Sequence, residues 1–244
     1  MHRFFLAMRF LTVWPFDSDR EITEADLVGS TVYYPLVGTI LGFVLYFLWL
    51  GFNTIGTTFI AATLTVAFWE LITAGLHLDG LMDTFDGLGV RGNREKRLAV
   101  MKDSRVGAFG AQVLFFAMAV KIAAVAGLEA ENALLLVLAP LAGRTAMVAL
   151  MATCQYAHNN PGLGKTFADL TGTKQLAIAL VLYLLCGFAL CGLQIFLFTA
   201  CCALFFFLWR YFLLVNFGGV TGDLLGATCQ LLEIAALIFV LILF

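Results

Sequence analysis

TTFIAATLTVAFWELITAGLHLDGLMDTFDGL, residues 57–88, joins an apolar run to a cluster of acids. The run at 57–76 has the length that crosses the hydrocarbon core of a bilayer, about 20 helical residues. The acids that follow have the spacing of a helix face. Asp79, Asp83 and Asp86 are four and three residues apart, which stacks their carboxylates on one side if the helix continues.

The rest of the chain has the same character. Of 244 residues, 62% are apolar and only 12% charged, and the mean hydropathy is +0.97, which places the protein in a membrane. Further apolar runs at 30–51, 109–127, 132–153, 176–192, 195–215 and 226–244 bring the expected number of spans to about seven. The expected fold is an all-α polytopic membrane helix bundle, with residues 1–244 forming a single integral membrane domain. A net charge of −2 provides no basic face for nucleic acid, so that partner class is excluded. The six cysteines lie almost entirely in apolar runs without metal-site spacing and read as reduced filler.

Charge asymmetry orients the bundle. The segment 77–108 carries Arg91, Arg94, Lys96, Arg97, Lys102 and Arg105, so the positive-inside rule places it in the cytoplasm. The N-terminus, with Arg3, Arg9 and Arg20, and the loop 154–175, with Lys165 and Lys174, fall on the same side. The opposite loops lack lysine and arginine. The N-terminus is therefore expected to be cytoplasmic and the C-terminus outside. The opening residues 1–16 read as an interfacial or short re-entrant amphipathic stretch.

Three polar constellations lie on the cytoplasmic side of this topology. In the first, the carboxylates of Asp79, Asp83 and Asp86 repel one another unless a cation joins them, and a hard divalent ion such as magnesium takes oxygen ligands. His77 stands on the other side of that helix, as a local cap, a hydrogen-bond partner or a base. The second is Lys102-Asp103-Ser104-Arg105. Here Lys102 and Arg105 suit phosphate oxygens, and Asp103 suits a metal shell or the proton of an attacking hydroxyl. In the third, Gly218, Gly219 and Gly222 allow close backbone approach to phosphate, and Asp223 adds a carboxylate.

Within the spans, Glu70, Lys121, Arg144, Arg210 and Glu233 are costly in hydrocarbon. Each is expected to face the bundle interior, pair with a partner or reach a polar cavity, and together they suggest a cavity opening to the cytoplasm, with simple ion pairs as the alternative. Gly164-Lys165-Thr166 has the ending of a P-loop, but Asn159 occupies the earlier glycine position and no strand precedes it, so that nucleotide site is rejected. Pro161-Gly162-Leu163-Gly164 remains a substrate-contacting loop or a turn.

These segments resemble the cobalamin synthase family, adenosylcobinamide-GDP ribazoletransferase. The resemblance rests on GLHLDGLMDTFDGL at 75–88, MKDSRVGAFG at 101–110, GLGKTF at 162–167, GGVTGDLLGA at 218–227 and the opening AMRFLTVWPF at 7–16. It covers nearly the whole chain. It implies a magnesium-dependent enzyme of a bacterial inner membrane, with its active site facing the cytoplasm, performing the last assembly step of vitamin B12. Its substrates would be adenosylcobinamide-GDP and α-ribazole or its 5′-phosphate, and GMP would be released.

On that reading Asp79, Asp83 and Asp86 hold Mg2+, and Asp103 or Asp223 is the base. His77, Lys102, Arg105, Gly218, Gly219 and Gly222 contact substrate. A homo-oligomer or a complex with other cobalamin-pathway enzymes is the assembly the reading admits. Two rivals share part of the pattern. A CDP-alcohol phosphotransferase would use Asp83, Asp86, Gly87 and Arg91, but its later glycine and aspartate positions hold Val100 and Ser104. A secondary transporter would route substrate past Glu70, Lys121 and Arg144, yet the polar clusters gather at one face and no repeat is visible.

Overall fold

The computed structural model of the chain describes residues 2–15, 21–103, 105–157 and 163–244, so that Phe16, Arg20, Ser104, Asn159, Pro161 and Gly162 of the sequence reading lie outside the described residues. Helices account for nearly all regular structure. In chain order they are α1 (His2–Leu11), α2 (Glu24–Ser30), α3 (Tyr34–Asn53), α4 (Thr58–Ile72), α5 (Leu76–Gly89), α6 (Arg94–Val100) and α7 (Ala108–Ala126). There follow α8 (Leu138–Thr153), α9 (Leu163–Leu170), α10 (Thr173–Cys191), α11 (Gln194–Phe217) and α12 (Gly222–Leu243). Short 3-10 turns precede α3 and α8.

Six stretches are long and apolar enough to cross a membrane, and α4 with α5 makes a bent pair that brings the count to as many as seven. This is the all-α polytopic bundle expected from the hydropathy. The expected span at 57–76 is corrected in one respect: its helix stops at Ile72 and the chain turns by 88° into α5. Ala74 and Gly75 both adopt left-handed backbone, with φ of 53° and 65°. The Gly75 N–H donates to the Glu70 carbonyl at 2.8 Å, closing the last turn. A left-handed alanine is disfavoured by about 1–2 kcal/mol, so the turn is imposed by its surroundings. The break leaves α5 outside the direct line of the span, carrying the acids to the polar end of the bundle.

The opening residues form α1, whose buried Leu6, Ala7, Met8 and Leu11 face the bundle. Arg3 is tied to Asp26 of α2 at 3.1 Å. The N-terminal stretch is thus an embedded amphipathic helix rather than a span.

Helices α5 and α12 meet through glycine. A side chain at Gly80 would come within 2.6 Å of the Asp223 carbonyl, and one at Gly226 within 3.2 Å of the His77 Cα. Small residues at such a crossing bring two backbones together. Here the close approach also sets Asp223 beside Asp79 and Asp83.

Below that crossing lies a cluster of buried charge. Lys121 on α7 donates to Glu70 of α4 at 2.7 Å, to Glu233 of α12 at 2.7 Å and to Gln230 at 3.0 Å, and its ammonium lies 3.7 Å above the Trp69 ring. Gln230 closes the circuit to Glu70 at 2.8 Å. Arg144 on α8 pairs with the other oxygen of Glu233. Side chains of Lys121, Arg144 and Glu233 are fully buried.

Two cations face two anions, so the cluster is formally neutral, which is the form in which charge is tolerated at this depth. The expectation of interior-facing charge holds for these four. They meet it as ion pairs, the paired alternative of the sequence reading, with the Glu70 side chain partly exposed. Arg210 stands apart from them and donates to the Thr153 carbonyl at 2.7 Å.

Replacing Lys121 by Met would strand both glutamates without their shared cation. Removing one partner of a buried pair costs about 3–5 kcal/mol. We expect Lys121→Met to lower the melting temperature of the detergent-solubilised protein sharply and Arg210→Met to change it little. Equal effects in thermal unfolding would show that the cluster does not hold the bundle together.

Candidate functional site

The acids at the polar end divide into two kinds. Asp86 is committed to backbone: its carboxylate accepts from the Gly107 and Gly110 N–H groups, both at 2.8 Å, at the start of α7. A carboxylate there satisfies donors that have no partner within the helix and complements the helix dipole. Both glycines are required, because a side chain at either would collide with that carboxylate. One of the three expected metal ligands therefore serves first as the anchor of α7.

Asp83 is the open acid. Burial, followed by the fields of Asp79, Asp223 and Asp86, pushes its carboxyl up to about 6. The four acids are thus electrostatic neighbours, although Asp223 lies far away in sequence. Among the described residues, no group of three histidine, cysteine or acidic side chains is placed to hold a metal ion. The available donors, Asp79, Asp83 and Asp223, are all hard carboxylate oxygens whose mutual repulsion a divalent cation would relieve. That donor chemistry fits magnesium.

Asp103 and Arg105 are placed differently from the acids. They pair with each other at the surface, Arg105 donating through Nη2 at 2.6 Å and through Nε at 3.0 Å. The guanidinium holds the Asp103 carboxyl down at about 2. A carboxylate so stabilised is a poor proton acceptor, and its partner is already engaged. Lys102 takes another direction, into the cavities described next.

The glycine loop has separate tasks at each position. Gly218 ends α11 in left-handed backbone with φ of 77°. Gly219 packs against the backbone of Gln155 and Ala157, and Val220 pairs with that segment through two hydrogen bonds of 2.9 Å. Gly218 and Gly219 thus have structural reasons of their own, while Gly222 faces open space at the start of α12. The paired segment presents Tyr156.

Three cavities meet at that tyrosine. A central one of about 240 Å³ is lined by Lys102, Tyr156, Gly164, Thr221, Gly222 and Asp223. A second, of about 490 Å³, extends past Arg94, Glu95, Lys102 and Gly218. A third, of about 590 Å³, extends past Thr153, Lys165, Asp169 and Thr171. Asp103 and Arg105 line none of these three. Burial and the field of Asp223 raise the Tyr156 hydroxyl above its ordinary value, which places ring and carboxylate in one environment.

His77 lies inward of the acids, 1% exposed, with neither ring nitrogen hydrogen-bonded among the described residues. It packs beneath the acid cluster against α12 and faces the interior. Sequence reasoning missed Tyr156 and Thr171. Neither sits in a motif or on a periodic face, and only the backbone pairing of 155–157 with Val220 brings Tyr156 to the acids.

Comparison with known proteins covers the whole chain. The sequence model of the cobalamin-5-phosphate synthase family matches residues 3–241. The adenosylcobinamide-GDP ribazoletransferase of Geotalea daltonii is 37% identical over 238 residues, covering 96% of this chain and 94% of that protein. The protein of the same name from Pseudomonas syringae pv. syringae is 37% identical over 245 residues, with 96% and 97% covered. That of Syntrophobacter fumaroxidans is 38% identical over 240 residues, with 95% and 94% covered. No solved structure matches the chain.

The raised carboxyl of Asp83 has a consequence for stability. A folded value above the unfolded one stabilises the protein fully below the unfolded value, and that contribution is lost as pH rises through the folded value. In chelator, thermal stability should therefore fall as pH rises from about 4 to about 6. Asp83→Asn should flatten that part of the profile. An unchanged profile in the variant would place Asp83 outside the repelling group.

Proposed function

The chain belongs to the cobalamin-5-phosphate synthase family, and on that premise we propose that it catalyses adenosylcobinamide-GDP ribazole transfer. It moves the phosphocobinamide moiety of adenosylcobinamide-GDP to α-ribazole or α-ribazole 5′-phosphate. The products are GMP and adenosylcobalamin or its 5′-phosphate. The observation that carries this reading is the match over residues 3–241, in a chain whose acids, Lys102 and Gly222 gather at one end of the bundle.

The ribazole 3′-hydroxyl attacks the phosphorus attached to the corrinoid's aminopropanol arm. The new P–O bond forms as the bond to the GMP phosphate breaks, and the hydroxyl proton passes to a carboxylate. Asp223 is the acceptor we assign, because it lines the central cavity and Asp103 is held ionised by Arg105. Lys102, in the same cavity, offsets negative charge on the phosphoryl oxygens. Asp79 and Asp83 would hold Mg2+, which supplies charge neutralisation at a pyrophosphate when bound. Asp86 fixes α7, and with it the loop carrying Lys102, against α5. Phosphoryl transfer of this kind depends on positioning and charge more than on covalent help.

The site is assigned to the cytoplasmic face of a bacterial inner membrane. The support is the run of arginine and lysine from Arg91 to Arg105 beside the acids. The phospholipid-forming and transport readings are set aside: the first lacks its later glycine and aspartate, and the charges needed by the second are consumed in ion pairs.

The test is GMP release from adenosylcobinamide-GDP by purified protein with α-ribazole and magnesium. Asp83→Asn should abolish turnover while leaving folding and membrane insertion intact. Asp223→Asn should lower kcat by about 10²–10⁴-fold, the usual contribution of a positioned base, and Asp103→Asn should stay close to wild type. Absence of GMP release from the wild-type protein would overturn the reading. An Asp103 variant as impaired as the Asp223 variant would overturn the assignment of the base.

A further inference from the structure

The three cavities share Tyr156 in their walls. The central chamber carries Asp223, Lys102 and Gly222, and a larger lobe opens on each side of it. A reaction that joins two substrates needs such an arrangement, with each substrate body in its own lobe and the reacting atoms between them.

The lobes differ in chemistry. The one bounded by Arg94, Glu95 and Lys102 offers two cations and a carboxylate. It suits a guanine nucleotide, whose phosphate needs cations and whose base edge presents N–H donors. The third cavity is walled mainly by polar groups, with one cation, Lys165, and one carboxylate, Asp169, beside the ring of Tyr156. It also holds an orphan: Thr171 is 4% exposed, and its hydroxyl has no hydrogen-bond partner in the described structure. A buried hydroxyl without a partner costs free energy that a ligand's hydroxyl would recover. At about 590 Å³ the lobe lies within the usual range of small-molecule sites, about 300–1,000 Å³.

We infer that this lobe binds the acceptor riboside, with its base beside Tyr156, a ribose hydroxyl at Thr171 and its 5′-phosphate on Lys165, which makes Lys165 the residue that favours the phosphorylated acceptor. The inference rests on the transfer reading above and deepens it. Lys165, set aside as a failed P-loop, thereby becomes a specificity-determining group. A monophosphate needs a point charge and room, and neither a Gly-rich cradle nor a preceding strand is required for it. Asp169, on the same wall, is placed to accept from the ribose diol.

The experiment compares α-ribazole with α-ribazole 5′-phosphate, both by GMP release and by equilibrium titration of the purified holoprotein. Wild type should bind the phosphorylated form more tightly. Lys165→Ala should weaken that form about tenfold, in line with the loss of a charge-assisted hydrogen bond, and leave α-ribazole nearly unchanged. KM for adenosylcobinamide-GDP should stay constant, and Lys165→Arg should restore most of the preference. Thr171→Val should weaken both acceptors alike.

A Lys165→Ala variant that loses affinity equally for both acceptors, or that raises KM for the nucleotide donor, would overturn the assignment. So would a wild-type protein indifferent to the 5′-phosphate. The two readings fail separately: no GMP release sinks the transfer reading, while the titration still judges the lobe.

Discussion

Charge that cannot be solvated must be paired, and in this protein that constraint fixes the bundle. Lys121 binds Glu70 and Glu233, and Glu233 binds Arg144, so one cluster joins α4, α7, α8 and α12. No member can leave without stranding another in a medium that does not solvate it. The helices tied together in this way carry or flank the acids. Gln230 and Glu233 lie eight and eleven residues into α12 from Gly222, about 12–16 Å below the polar end at 1.5 Å per residue. The cluster acts as a foundation placed beneath the site and does not extend it.

The layer above has a second division of labour. Asp86 gives its charge to the start of α7 and is thereby held still. Asp79, Asp83 and Asp223 lie close enough to repel one another. The repulsion is sustained because glycine at positions 80 and 226 lets α5 and α12 approach too closely for the acids to separate. Repulsion among fixed carboxylates favours a cation and an anionic substrate that bridges it, which is the economy expected of a phosphoryl-transfer site. The adjoining chambers share Tyr156, and Lys102 lines two of them. The proposed donor and acceptor lobes follow from the different charges of their linings.

Much was legible in the chain. Hydropathy located the membrane helices to within a few residues, because twenty apolar residues have one stable fate in a bilayer. The break at Ala74 and Gly75 was not legible. Thr73-Ala74-Gly75 carries no proline, and only packing forces Ala74 into left-handed backbone. Asp79, Asp83 and Asp86 were visible as a helical face, but their different tasks were not. A carboxylate that caps another helix and one that stays open look identical in sequence. In the same way, the sequence does not tell that Arg105, two residues on, pairs with Asp103.

What the sequence determined by itself was the environment, the helical spans and the inventory of chemistry, since each follows from local composition and from spacing along a single helix. What only the tertiary structure decided was which groups share a space. Asp223 meets Asp83 where α12 crosses α5, Tyr156 is aimed by a backbone pairing with Val220, and Lys165 and Thr171 line one chamber. The physical reason is that these meetings depend on close packing between distant segments, set by glycine contacts and by buried ion pairs whose partners are scattered along the chain.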